Sequence, residues 1–239
     1  MRTRTNRPRT AARRTARRRV RAAGFTLMEL MTVIFVIAIS ATLAGPAFRS
    51  ATVERINGQA SLDLVRLMRS ARSEAVAYGR AHIVRFAPTA GGIFRAYRGF
   101  TSSCTNQITE ISADGWDTVF TDYPDCAEEN SMCMDYMVMN SEDYVVSGST
   151  LNVSLVDKMN GADETGQFVD ICFEPRGAMY WRRATTQAAV DAAALLSSNN
   201  TTTLTGGFLF EFTRKDGTVE TGVKRYVAVP LGANARLLR

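Results

Sequence analysis

Few residues in this chain could do chemistry, and each group sits in a different sequence context. Glu29 is a lone carboxylate inside the apolar run Phe25 to Ala44, FTLMELMTVIFVIAISATLA. A charge at mid-membrane costs on the order of 2.5–3.5 kcal/mol on insertion scales, so it needs a partner or a route to the headgroups. Four cysteines, Cys104, Cys126, Cys133 and Cys172, all follow that run. In an exported domain they would meet an oxidising compartment, and four cysteines allow three pairings that sequence alone cannot choose between. Zinc is the rival use, but no CxxC pair is present and the single histidine, His82, lies far from the cysteines in sequence.

Between Arg98 and Lys158 there are eleven acids and no lysine or arginine, among them Asp114, Asp117, Asp122, Asp125, Glu128, Glu129 and Asp135. Calcium is the cofactor such oxygens would favour, but no DxDxDG loop orders them, and the stretch reads as a solvated insertion. Paired catalytic carboxylates, a Ser/His/Asp set and a supported Cys/His pair do not stand out, so the chain is expected not to be an enzyme. Arg182, Arg183, Lys224, Arg225, Arg236 and Arg239 would contact nucleic acid only if they converge in space. Otherwise they are solvated strand-edge charges that discourage edge-to-edge pairing.

The elements that must position these groups follow from how charge and hydropathy are divided. The 239 residues carry a formal +6, but residues 1–24 hold ten arginines and no acid, which leaves −4 for everything after them. The basicity therefore belongs to a leader that lacks apolar periodicity and cannot bury enough surface to order itself. Arginines directly before an apolar run hold that end in the cytoplasm and send the C-terminal side across the membrane. Residues 25–45 are long enough to span a hydrocarbon layer of about 30 Å. A secretory signal cleaved near Ala44 is the competing reading, although its apolar core usually has only about 7–15 residues.

Gly45-Pro46 follows, where the proline removes a backbone donor and should bend or loosen the helix. The helical pattern then resumes over 46–80, with Val53, Ile56, Ala60, Leu64, Leu67 and Ala71 at three- and four-residue steps, and Gly79 as its C-terminal cap. Residues 81–239 form a β-rich head. Segments 81–87 and 92–98 flank a Pro88–Gly92 turn, and further strands are expected at 145–156, 167–173, 178–183, 207–213 and 218–229, with turns at 174–177 and 214–217. Two insertions interrupt it at about 99–145 and 184–204, the second partly helical at AAVDAAALL. The fold class is α+β, a long N-terminal helix packed on antiparallel sheet.

Gly24-Phe25-Thr26-Leu27-Met28-Glu29 resembles the processing site of type IV prepilins. The resemblance implies cleavage after Gly24 by prepilin peptidase, N-methylation of Phe25, and a role for Glu29 and the helix around Pro46 in assembly. Cleavage creates an α-amino group with a pKa of about 8, which the Glu29 carboxylate of a neighbouring subunit can neutralise in a low-dielectric filament core. The LVRLMRSARSEAVAYG segment (64–79) before a strand and FEPRG (173–177) are similar to the GspH/FimT branch of minor pilins and type II secretion pseudopilins. That branch implies a single-pass inner-membrane subunit with a periplasmic head, whose partners are other pilins or pseudopilins in a hetero-oligomeric filament. Some of its members bind DNA through a GRxR motif near the C-terminus; here Gly232 and Arg236 stand apart. Three functions from different classes follow: a structural or priming subunit of a filament, a DNA-binding minor pilin for uptake, and a protein released after signal cleavage.

Overall fold

The computed structural model describes residues 25–99, 101–105, 133–146, 148–156, 166–197, 207–231 and 234–238. Helix α1 (Leu27–Tyr78) begins where Thr26 caps it. The Glu29 amide donates to the Thr26 hydroxyl at 3.2 Å and to its carbonyl at 3.1 Å, satisfying a donor that has no intrahelical partner. The helix ends at Gly79, whose φ of +66° is the left-handed conformation that stops an α-helix without steric cost. It is unbroken across Gly45-Pro46. Pro46 has no N–H for the Thr42 carbonyl, and the hydroxyls of Ser40 and Thr42 donate to carbonyls three or four residues back at 2.8 and 2.7 Å.

The chain divides into two units, Met1–Pro46 and Ala47–Arg239. The described part of the first is the apolar start of α1. In the second, the rest of α1 lies against two antiparallel sheets. One has six strands in the order β3-β2-β1-β5-β6-β7: β1 (His82–Ala87), β2 (Ile93–Arg98), β3 (Cys133–Val138), β5 (Phe168–Phe173), β6 (Met179–Ala184) and β7 (Leu196–Ser197). The other has the order β10-β9-β8-β4, with β4 (Ser149–Leu155), β8 (Gly207–Asp216), β9 (Val219–Pro230) and β10 (Arg236–Leu238). This is the expected α+β fold, and its architecture is pilin-like.

The core joins the helix to both sheets. Of the stripe expected from spacing, Ala60, Leu64, Leu67 and Ala71 are buried and Val53 and Ile56 half-buried, and Met68 and Ala75 join the buried face. Phe86 and Phe94 of the larger sheet pack on Phe210 of the smaller one, with ring centroids 4.7–5.3 Å apart and mostly edge-on contacts. The turn at 174–177 closes the β5–β6 hairpin with two backbone bonds of 2.9 Å, the Gly177 amide donating to the Glu174 carbonyl and the Glu174 amide to the Ala178 carbonyl, and Gly177 takes φ +87° in it. Strand β8 runs three residues beyond the expected 207–213 and β9 is shifted by one from the expected 218–229, so the hairpin turns over Gly217 and Thr218 where 214–217 was expected.

Strand β3 lies within the segment read as an acidic insertion and pairs along β2, with Phe94 opposite Met137 and Arg95 opposite Tyr136. Strand β10, pairing with Tyr226–Ala228, was likewise not expected from sequence. The second insertion contains helix α2 (Gln187–Ala192), whose first turn is capped by the Thr186 hydroxyl at 3.2 Å from the Ala189 amide.

Candidate assembly site

The N-terminal part of α1 displays nearly all its side chains. Phe25, Leu27, Met28, Leu30, Met31, Val33, Ile34, Phe35, Val36, Ile37, Ile39 and Leu43 are all exposed, so the run is apolar on every face. An all-round apolar helix in water is unstable against burial, and this one is long and apolar enough to cross a membrane or to act as a signal sequence. Glu29 lies in the first turn, where the free N–H groups and the helix dipole favour a negative charge. Gly24 and the leader lie outside the described residues. Phe25 precedes the Thr26 cap and is not in the helix, so the peptide bond expected to be cut stands one residue before the capped start of α1.

Beyond Pro46 the helix is fixed to the head by side chains rather than by apolar packing alone. Glu54 accepts the Val223 amide at 2.7 Å, and Asn57 donates to the Val223 carbonyl at 3.0 Å. Two helix side chains thus occupy both backbone groups of one β9 residue, as a neighbouring strand would. Arg225 reaches Glu54 at 3.5 Å, and Arg49 reaches Asp216 beside the β8–β9 turn at 3.4 Å.

Of the six basic residues considered for nucleic acid, the five described ones have separate surroundings. Arg182 is buried against Asp170, Lys224 reaches Glu211 at 2.9 Å and Glu220 at 3.2 Å, and Arg225 faces Glu54. Arg183 lies over the Trp181 ring, its guanidinium 5.7 Å from the centroid. Arg236 is exposed on β10, and Arg239 lies outside the described residues.

Of the four cysteines, Cys104 and Cys172 form a disulfide that ties the segment after β2 to the middle of the larger sheet. Glu174 supports it by accepting the Cys104 amide at 3.0 Å. Cys133 opens β3, while Cys126 lies outside the described residues, as do Asp114, Asp117, Asp122, Asp125, Glu128 and Glu129. No three His, Cys, Asp or Glu side chains cluster as metal ligands among the described residues. His82 is buried at the start of β1, with Nδ1 3.0 Å from the Arg80 carbonyl and Nε2 without a partner among the described residues. Burial lowers its pKa from 6.5, so the ring is held neutral, with Nδ1–H donating.

Sequence reading missed a buried charge network on the face of the larger sheet away from the main core. Arg85 donates through Nε to Asp170 Oδ1 at 2.5 Å and through Nη2 to Asp170 Oδ2 at 2.7 Å and Asp191 Oδ1 at 2.6 Å. Arg182 Nε donates to Asp170 Oδ2 at 2.7 Å, and its Nη1 donates to the Asp191 carbonyl at 2.8 Å. Burial pulls the Arg85 pKa down, and the two carboxylates more than reverse that, so the guanidinium stays charged. Asp191 belongs to α2, so the network anchors the second insertion to the sheet. The available signal was a charge inside three largely apolar strands, Arg85 in HIVRFA, Asp170 in FVDICF and the Arg182–Arg183 pair in MYWRRA.

No protein-family model, curated protein or solved structure matches the chain.

Proposed function

We propose that this chain is a minor pilin or pseudopilin, cut by prepilin peptidase after Gly24, methylated at Phe25 and assembled through its N-terminal helix into a type II secretion pseudopilus or type IV pilus. The observation that carries the reading is the make-up of α1. Its first part exposes apolar side chains on all faces around a single carboxylate, and its later part is buried against antiparallel sheet. A soluble helix has no use for the first part, and a signal sequence has no use for Glu29.

The mechanism is electrostatic. Before cleavage the chain continues upstream of Phe25 and offers no α-amino cation there. Afterwards the new amino group of one subunit and the Glu29 carboxylate of the next can neutralise each other, which makes insertion of both into an apolar filament core less costly. Processing thereby licenses assembly. The leader arginines hold the N-terminus in the cytoplasm, and the head with its disulfide stands in the periplasm.

Two substitutions test this in the native cell. Replacing Gly24 with a bulky residue should leave the precursor at full length, because the peptidase needs a small residue at the bond it cuts. Glu29→Ala should be cleaved normally but enter filaments poorly. Wild-type incorporation of Glu29→Ala would remove the charge-pair mechanism.

A further inference from the structure

The Ala47–Arg239 unit gathers its most exposed apolar side chains at one end. Among its described residues the three most exposed large ones are Phe48 at 73%, Val223 at 65% and Val219 at 63%. Phe48 is on α1 just after Pro46, and both valines belong to the β8–β9 hairpin. That hairpin is fixed to the same stretch of helix. Arg49 reaches Asp216 at 3.4 Å, and Asn57 and Glu54 hold the carbonyl and amide of Val223. The three side chains therefore share the end of the unit at which its helix begins.

The hairpin is shaped to keep Val223 outside. Phe212 pairs with Arg225 and Arg214 with Thr221, so one residue of β8 faces three of β9 in a bulge. Gly222 takes φ +79° in that bulge, and a β-carbon on it would stand 2.7 Å from the Glu54 carboxylate. The Val223 backbone is thus held on the helix while its side chain stays exposed. The charges nearby already meet acids: Arg49 reaches Asp216, Arg225 reaches Glu54, and Lys224 reaches Glu211 and Glu220. What this end offers a partner is apolar surface among paired charges.

Chain length says which partner is within reach. Arg49 stands five residues after Ala44, where the apolar run ends. That is at most about 18 Å for an extended chain and about 7–8 Å for a helix. The headgroup layer of a bilayer extends about 5–7 Å beyond the hydrocarbon on each side. We propose that Phe48, Val219 and Val223 rest in the headgroup layer of the bilayer that the apolar run enters, so that the head sits on the membrane by this end. The inference rests on the reading of residues 25–45 as a membrane span. Apolar burial drives the contact, so it forms on zwitterionic lipid and withstands salt.

The test reads the native side chains. The whole chain, recovered from its native membrane with isotopically labelled valine methyl groups, is placed in phosphatidylcholine nanodiscs with and without a lipid bearing a nitroxide near the top of its acyl chain. Val76, 57% exposed in the last turn of α1, controls for exposure alone, and Val36 in the apolar run reports on the span. Paramagnetic relaxation at the Val219 and Val223 methyls should be at least about fivefold that at Val76, and should persist at about 1 M salt, where the screening length is only about 3 Å. Val223→Glu should cut the effect at Val219 at least about threefold, with unchanged signals from buried Val84 and Val227 showing that the head still folds. Hairpin valines relaxed no more than Val76, or relaxed only with anionic lipid at low salt, would overturn the proposal. Val36 separates the two readings. If Val36 is relaxed and the hairpin valines match Val76, only the surface contact is rejected; if Val36 is not relaxed, the span is rejected and the contact with it.

Discussion

Arg85 and Arg182 stand on the two strands flanking β5 and donate to the same oxygen, Asp170 Oδ2, each at 2.7 Å. The three side chains are fully buried, and their positions are direct register partners across β1, β5 and β6. Two guanidinium groups thus depend on one inaccessible carboxylate, with Asp191 as a second, 20% exposed acceptor.

Asp170→Asn should therefore destabilise the Ala47–Arg239 unit by about 3–5 kcal/mol, the range for breaking a buried pair from one side. Asp191→Asn should cost less, because water can reach its site. Denaturant unfolding of the two variants gives the comparison. Equal losses would contradict the ranking by exposure, and an unchanged midpoint for Asp170→Asn would show that the network contributes little.

The Cys104–Cys172 disulfide closes a loop with a sequence separation of 68. On the chain-entropy model a loop of that length is worth about 4 kcal/mol, acting mainly on the unfolded state. Replacing both cysteines with alanine should lower unfolding stability by about 2–4 kcal/mol while far-ultraviolet circular dichroism keeps the β-rich spectrum. A loss below about 1 kcal/mol would mean that the unfolded chain is already constrained.

His82 provides a pH dependence with a fixed sign. Its folded pKa is lowered by burial, so below the ordinary value of about 6.5 the unfolded chain binds the proton that the folded chain refuses. Stability from this residue is present above about pH 6.5 and falls on acidification towards the folded pKa, with a slope of at most about 1.4 kcal/mol per pH unit. His82→Asn retains a donor for the Arg80 carbonyl and removes the titration. Stability measured from pH 7.5 to 5 should fall less in that variant. Parallel curves would assign the acid sensitivity to other groups.

Much of the fold was legible because local chemistry decided it. The β-favourable runs HIVRFA and IFRAYR on either side of a turn, the EPRG turn and the Gly79 stop each needed only neighbouring residues, and the burial of Leu64, Leu67 and Ala71 followed from helical period alone. Strand β3 was not legible: Cys-Met-Asp-Tyr-Met-Val is a mediocre strand sequence inside an acidic stretch, and it is a strand because β2 offers an edge. The charge network was hidden for a related reason. Arg85 and Asp170 meet only because β5 inserts beside β1 across a long sequence gap, and that strand order also selects Cys172 as the partner of Cys104. The basic residues near the C-terminus show the converse. Lys224 and Arg225 are adjacent in sequence and were grouped together, but alternation on β9 sends one to Glu211 and the other to Glu54.

The central claim is that the chain becomes an assembly subunit when it is cut before its apolar helix. Intact mass and N-terminal peptide mapping of the protein recovered from its native membrane test this most directly. The account predicts a chain that begins at Phe25 and carries a methylated α-amino group. A chain beginning near Gly45 would instead mark a secreted protein released by signal peptidase, and the pairing of Glu29 with a neighbour's amino group would fall with that result.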